Sequence, residues 1–312
     1  MQRRSLLKNI GLLAGGISIP GVAKATIQKA PARVLRIAHI TDIHVQPQLW
    51  AANGMAKCLH HLQDLAIKPD FIINGGDSIM GSSGSTQSKL AKEWKLFHQV
   101  LKDENALPVY SVIGNHDIWS NREQGAQFDD GKKWAMEEFG LHKPYYSIDK
   151  NGWHFIFLDS IHVRKEGFTY YAKLDEEQME WLKKDLNHTS SQTPVMVVSH
   201  IPILCASVFV HEKNVKNDNW HISGSWMHTD ISEIIGIFNK HDNVKLAISG
   251  HTHILDRVDY NQVSYCCNGA VCGNYWFGKV QETRAGYAVI DLYDDGSFTN
   301  QYVNYRVKKN NL

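Results

Sequence analysis

From Arg33 onward the apolar positions fall into two alternating patterns: short unbroken runs, and longer stretches with an apolar residue every three or four positions. The runs at 34–40, 71–73, 109–113, 153–158, 195–198 and 244–248 predict buried strands. The spaced stretches at 52–66, 89–102, 134–139, 175–186 and 231–238 predict helices; in the fourth, Leu174, Met179, Trp181, Leu182 and Leu186 fall near one face. Strand and helix alternate, so the fold class is α/β. The tail changes character. Strands at 263–267, 287–292 and 298–305, separated by Gly-Asn and Asp-Asp-Gly turns, predict a closing antiparallel portion.

The first 25 residues do not belong to this pattern. Arg3-Arg4-Ser5-Leu6-Leu7-Lys8, an apolar stretch over 10–22 and Ala23-Lys24-Ala25 read as a charged region, a hydrophobic region and a small-x-small cleavage site. The paired arginines resemble a twin-arginine signal, which carries folded proteins out of a bacterial cytoplasm, so a periplasmic location is expected. Gly11, Gly15, Gly16, Pro20 and Gly21 interrupt the stretch, and it is shorter than the ~20 residues a membrane span needs, so no stable membrane insertion is expected after cleavage. Residues 26–312 are then read as a single domain.

Losing Arg3, Arg4, Lys8 and Lys24 with residues 1–25 takes the formal charge from +1 to −3. A mildly acidic domain lacks the basic footprint that a nucleic-acid polymer needs. The five cysteines, Cys58, Cys205, Cys266, Cys267 and Cys272, contain no CxxC pair, which excludes a zinc ribbon or a thioredoxin-type motif. Cys58 and Cys205 read as small buried hydrophobes.

The chemistry lies where the polar residues meet the strands. Five apolar runs lead directly into metal-binding residue types: Thr41-Asp42-Ile43-His44, Asn74-Gly75-Gly76-Asp77, Gly114-Asn115-His116-Asp117, Ser199-His200 and Ser249-Gly250-His251-Thr252-His253. In α/β sheets, ligands sit beyond the carboxyl ends of the strands, so these loops are expected to converge. In extended backbone, residues i and i+2 point the same way, which would aim Asp42 with His44, and His251 with His253. Glycines before Asp77, Asn115 and His251 allow sharp turns and close approach. Asp42, His44, Asp77, Asn115, His200, His251 and His253 exceed what one tetrahedral ion can use and contain no thiolate. They suit two divalent ions of the Mn, Fe, Zn or Mg type, bridged by a carboxylate.

These ordered blocks, D-x-H, G-D, G-N-H-D, a lone His and G-H-x-H, resemble the calcineurin-like metallophosphoesterase superfamily over residues 42–253. The resemblance implies a four-layer αββα sandwich of two mixed sheets flanked by helices. It implies Asp42, His44 and His253 on one ion, Asn115, His200 and His251 on the other, and Asp77 on both. His116 would face the substrate phosphate, with Asp117 orienting its imidazole. In-line displacement by a hydroxide held between the ions would follow, with His116 protonating the leaving oxygen.

Met80 stands where purple acid phosphatases carry a tyrosine; Asp77-Ser78-Ile79-Met80 lacks the arginine run of the protein phosphatases; and His116 replaces the arginine of lipid A pathway hydrolases. The chain looks nearer to class III cyclic-nucleotide phosphodiesterases. The expected activity is hydrolysis of a small phosphodiester, cyclic-nucleotide or nucleotide- or phospholipid-like. The alternatives are a phosphomonoesterase, a nucleotide pyrophosphatase and a non-enzymatic metal-binding interaction scaffold. His39, His60 and His61 read as core or surface residues, whereas segments 119–134 and 205–228 are weighed as substrate lining against ordinary packing.

Overall fold

The computed structural model describes residues 30–306 apart from 49, 82–83, 165, 167–168 and 211–213, and Pro31–Leu312 form one compact unit. The leader read at 1–25 lies outside the described residues. Along the chain come β1 (Arg33–Ile40), α1 (Ala51–Gln63), β2 (Phe71–Asn74), α2 (Gln87–Glu104), β3 (Val109–Ser111), α3 (Phe128–Phe139), β4 (Tyr146–Lys150) and β5 (Trp153–Leu158). Then follow β6 (Ile161–Val163), β7 (Tyr170–Ala172), α4 (Glu176–His188), β8 (Val195–Ser199), β9 (Val215–Lys216) and β10 (Asn219–Trp220). The last elements are α5 (Ile231–Phe238), β11 (Val244–Ser249), β12 (Asp256–Tyr260), β13 (Val263–Cys267), β14 (Tyr287–Tyr293) and β15 (Phe298–Val303).

Two mixed sheets carry the molecule, with strand orders β15-β14-β1-β2-β3 and β12-β13-β11-β8-β5-β4. Their inner faces meet in one apolar core in which Ile37, Phe71 and Ile73 of the first sheet bury against Phe155, Phe157, Met196, Val198 and Ile248 of the second. On its other face the first sheet packs Ala38, Ile40 and Ile72 against Met55, Leu59, Trp94 and Phe97 of α1 and α2. The second covers Val195, Val197 and Ala247 with Met179, Leu182, Ile234 and Phe238 of α4 and α5. Helix, sheet, sheet, helix is the expected αββα sandwich. Strands buried on both faces must be apolar throughout, which is why they read as unbroken runs.

Strands β4, β6, β7, β9 and β10 are not among the predicted elements, and three further differences from the sequence reading have a local reason. Helix α3 starts at Phe128, six residues before the predicted 134. Gly131 weakens the helical signal. That glycine is required because a Cβ there would lie 1.8 Å from the Trp119 carbonyl oxygen. Strand β12 went unread because it is an exposed edge, DRVDY, with little to bury. The tail is antiparallel only in part, since it divides between sheets. Strand β13 runs parallel to β11 in the second sheet, whereas β14 runs antiparallel to β1 in the first.

β1, β2 and β3 are mutually parallel, as are β8 and β11. Their carboxyl ends therefore deliver all five polar loops to one edge of the sandwich. The loops stay zipped past the strands: Asp42 N–H donates to Gly76 O (3.0 Å), His44 N–H to Asp77 O (3.0 Å) and Gly250 N–H to His200 O (3.0 Å).

Candidate metal centre

All seven predicted ligand candidates come together at this edge, and Asp42, His44, Asp77, His200 and His253 are buried. The backbone that places them is not extended, which corrects the i, i+2 argument. Asp42, His44, Asp77, His251 and His253 all have φ between 49° and 69°, the left-handed region that non-glycine residues avoid. Each such residue costs about 1–3 kcal/mol unless its surroundings impose it. Here the inter-loop hydrogen bonds do. Close approach explains Gly250, where a Cβ would sit 2.1 Å from Thr41 Oγ1 and 2.3 Å from Asp42 Oδ2.

Asp77 stands at the centre. Its Oδ1 lies 3.3 Å from His200 Nε2 and its Oδ2 lies 3.7 Å from His44 Nε2, so one carboxylate faces two groups of imidazoles. Ligand atoms of Asp77, His200 and His251 lie within 4.8 Å of one another, as do those of His44, Asp77 and His116. Asn115 Oδ1 is 3.2 Å from His200 Nε2. On the other side Asp42 Oδ1 is 3.2 Å from His253 Nε2 and 3.9 Å from His44 Nε2. Its Oδ2 is already taken by His251 N–H (2.9 Å) and the Thr41 hydroxyl (2.7 Å).

The donor set tests whether cations fit. His200 donates from Nδ1 to Gly75 O (2.7 Å), and His253 from Nδ1 to Gly273 O (2.6 Å), so in neutral rings both Nε2 atoms are lone-pair acceptors. His200 Nε2 then confronts two oxygens, and His253 Nε2 lies 3.1 Å from His44 Nε2. Acceptors facing acceptors need a proton or a metal cation between them. Among the described residues Asp42 Oδ1, His44 Nδ1 and His251 Nδ1 are buried without a hydrogen bond, which buried polar atoms rarely tolerate. The carbonyls behind His200 and His253 also fix tautomer and ring direction, as metal-binding imidazoles require. The residues fit a pair of cations.

The electrostatics agree. Burial alone would raise the Asp42 and Asp77 carboxyls, but His253 beside Asp42 and His200 beside Asp77 hold both well below the usual range. Conversely, Asp77 outweighs burial and lifts His200 to about 9, whereas burial takes His251 down to about 4.

His116 borders the site, its ring 4.5 Å from that of His44. The expectation that Asp117 orients it is corrected. His116 Nδ1 instead lies 3.2 Å from Met80 O, which directs Nε2 away from that carbonyl. Asp117 turns to the backbone: its oxygens accept from Asp77 N–H (2.9 Å), Ser78 N–H (2.8 Å) and Gly114 N–H (2.9 Å). It staples the second and third loops together. Burial and the Asp77 charge push its carboxyl up to about 7.

Of the two segments weighed as lining, 119–134 goes to packing: Trp119 donates to Ser85 O (2.9 Å) and stacks edge-on to Trp134. In 205–228, the Trp226 ring lies 6.3 Å from that of His251. Cys205 and Cys58 are buried free thiols, as are the other three cysteines. His39 is buried in β1, His60 pairs with Glu104 on the surface, and His61 meets the Tyr287 hydroxyl. Two site residues escaped the sequence reading. Tyr275 has its ring centroid 4.8 Å from His44 and 5.0 Å from His253. Cys272 Sγ lies within 4.8 Å of ligand atoms of those same histidines. Both follow β13, a further parallel strand end, but its loop carries no cluster of His, Asp or Asn to mark it.

Fold and site together define a metal-dependent phosphoesterase. The sequence profile of the calcineurin-like phosphoesterase family matches residues 35–255, and the chain belongs to this family, whose members depend on two metals. It is a hydrolase acting on phosphoric esters. A relative named probable cyclic nucleotide phosphodiesterase, from Synechococcus sp., is 25% identical over 279 residues, 86% of this chain and 92% of the relative. Another, named probable glycerophosphodiester phosphodiesterase, from Arcobacter nitrofigilis, is 23% identical and covers 73% of this chain and 75% of its own. Among solved structures, a dimetal phosphatase from Danio rerio superposes with a TM-score of 0.61 at 13% identity, over 88% of this chain and all of that one.

Proposed function

We propose that this chain hydrolyses a small phosphodiester and holds two divalent ions of the Mn, Fe, Zn or Mg type. Asp42, His44 and His253 hold one, Asn115, His200 and His251 the other, and Asp77 is shared. The observation that carries this reading is the orientation of Asp77, whose two oxygens face separate imidazole groups, 3.3 Å and 3.7 Å away. Divalent cations there would activate water and neutralise phosphate oxygens. The chain's own part is to keep both carboxylates ionised, to aim Nε2 of His200 and His253 by the carbonyls behind their rings, and to bring His116 to the open side. With Nδ1–H donating to the Met80 carbonyl, His116 turns Nε2 to the open side, and only as the imidazolium would it give a proton from Nε2 to the leaving oxygen. The names of the relatives aligned over most of the chain support a diester substrate.

Parallel assays on bis(p-nitrophenyl) phosphate and p-nitrophenyl phosphate, with metal analysis of the purified protein, test this reading. Diester turnover above monoester turnover with two ions per chain is expected. Equal or faster monoester turnover would make the chain a phosphatase, and metal-loaded protein inactive on both would favour the scaffold reading. The twin-arginine segment supports export as a folded enzyme to the periplasm. Replacing Arg3 and Arg4 by Lys should retain the protein in the cytoplasm on cell fractionation.

A further inference from the structure

The loop after β13 is a rigid bracket that shows one face to the metal centre. It is tied to the ligand loops by Val271 N–H to Thr41 O (2.9 Å), Cys272 N–H to Asp42 O (3.2 Å) and Trp276 Nε1–H to His44 O (3.0 Å). The Trp276 ring fills the space over α1 that Gly54 leaves open, where a Cβ would sit 2.0 Å from the ring. Tyr275 and Trp276 themselves have φ of 45° and 75°. Consecutive left-handed aromatic residues persist only where the surroundings impose them, and such strain concentrates at functional sites. The result is that Trp276 points down as an anchor, 5% exposed, while Tyr275 beside it lies over the site, 36% exposed. The Tyr275 ring is 4.8 Å from His44, 5.0 Å from His253 and 6.2 Å from His116. Next to it Phe277, 77% exposed, meets Trp50, 49% exposed, edge to face at 6.3 Å. Tyr275, Trp276 and Phe277 lie beyond the residues matched by the family profile, 35–255.

We infer that Tyr275 is a substrate-contacting catalytic residue whose phenol donates a hydrogen bond to an oxygen of the bound phosphate, and that the Trp50–Phe277 pair receives a flat apolar group on the ester. Among the described residues the phenol has no hydrogen-bond partner of its own, and its ring lies against the His44 and His253 imidazoles with His116 6.2 Å away. A fixed donor aimed at developing negative charge acts without reorganisation. An exposed aromatic pair offers a sequence-tolerant stacking face. The ester part of the inference rests on the phosphodiester reading above; the phenol part does not.

Tyr275→Phe and Phe277→Ala in the metal-loaded full chain test it. The substrates are bis(p-nitrophenyl) phosphate and methyl p-nitrophenyl phosphate, which share a leaving group, and calorimetry measures binding of inorganic phosphate. Tyr275→Phe should keep its metals, lower kcat at least about tenfold on both diesters and weaken phosphate binding several-fold. Phe277→Ala should raise KM for the bis-aryl ester about fivefold and by less for the methyl ester, which offers the rim only its leaving group. A Tyr275→Phe variant that binds phosphate as tightly as wild type, or that loses its metals, overturns the phenol's role. Equal KM values in Phe277→Ala overturn the aromatic rim. If wild type cleaves only monoesters, the diesterase reading fails by itself, and phosphate calorimetry still decides the phenol.

Discussion

Asp117 and His116 are neighbours with separate tasks, and their variants should separate them. His116→Ala removes a proton donor without touching the loop staples, so kcat should fall about 100- to 10,000-fold with metal content unchanged. Asp117→Ala strips the backbone N–H groups of Asp77, Ser78, Gly114 and, at longer range, Ile79 of a buried acceptor, at about 1–3 kcal/mol for each well-formed bond. It should melt early and lose metal in elemental analysis. If Asp117→Ala kept stability and metal but lost activity, the loop-staple role would be wrong. The family resemblance implied an imidazole–carboxylate pair, whereas in the structure the carboxylate turns inward to the backbone. Cys272 and Tyr275 were illegible for the opposite reason, because their loop lacks the residue types that announce a ligand.

At the scale of elements, two buried ionisable groups predict pH-dependent stability. Glu93 on α2 is fully buried and, among the described residues, neither oxygen has a well-formed hydrogen bond. Burial pushes its carboxyl up to about 7, against the pull of Lys89 at 3.9 Å. A raised carboxyl is an acid that folds best protonated, so stability is lost as pH rises from the unfolded value near 4.3 through 7. Glu93→Gln should therefore gain stability over wild type at pH 8 and little at pH 5, measured by urea unfolding.

His154, at the start of β5, behaves oppositely. Its Nδ1 lies 2.7 Å from Asp149 on β4 and its Nε2 2.9 Å from Asp185 on α4. Burial opposes the charge, but the two carboxylates outweigh it and raise the imidazole. The stabilisation is complete below about pH 6.5, the unfolded value, and disappears as pH rises through the folded one. Asp149 is largely exposed and contributes little. His154→Ala should cost about 1–2 kcal/mol at pH 6 and much less at pH 9. An equal loss at both pH values would mean that packing, not charge, is responsible.

Across the whole molecule, the site joins two sheets that otherwise meet through an apolar core. Asp42 and Asp77 come from the first sheet, His200 and His253 from the second, so any cation shared between them clamps the sandwich. Each ion present at about 100 times its Kd adds about 2.7 kcal/mol. Chelation should lower Tm by several degrees or more, with Mn or Zn restoring it, as followed by calorimetry. Unchanged Tm after verified metal removal would contradict the clamp.

The sequence by itself determined the α/β alternation and the seven ligand candidates, and the four layers followed from the family resemblance. Short unbroken apolar runs read as buried strands, and polar groups at five of their ends meet at one edge because those strands are parallel. The tertiary structure alone decided what depends on packing between distant segments. It divided the tail strands between two sheets, because β13 and β14 pair with partners chosen by the whole sandwich. It held the ligand backbones left-handed, because bonds between loops outweigh local preference. It also brought Tyr275 over the site, because Trp276 found its anchor in α1 more than two hundred residues earlier, where Gly54 leaves room for the ring.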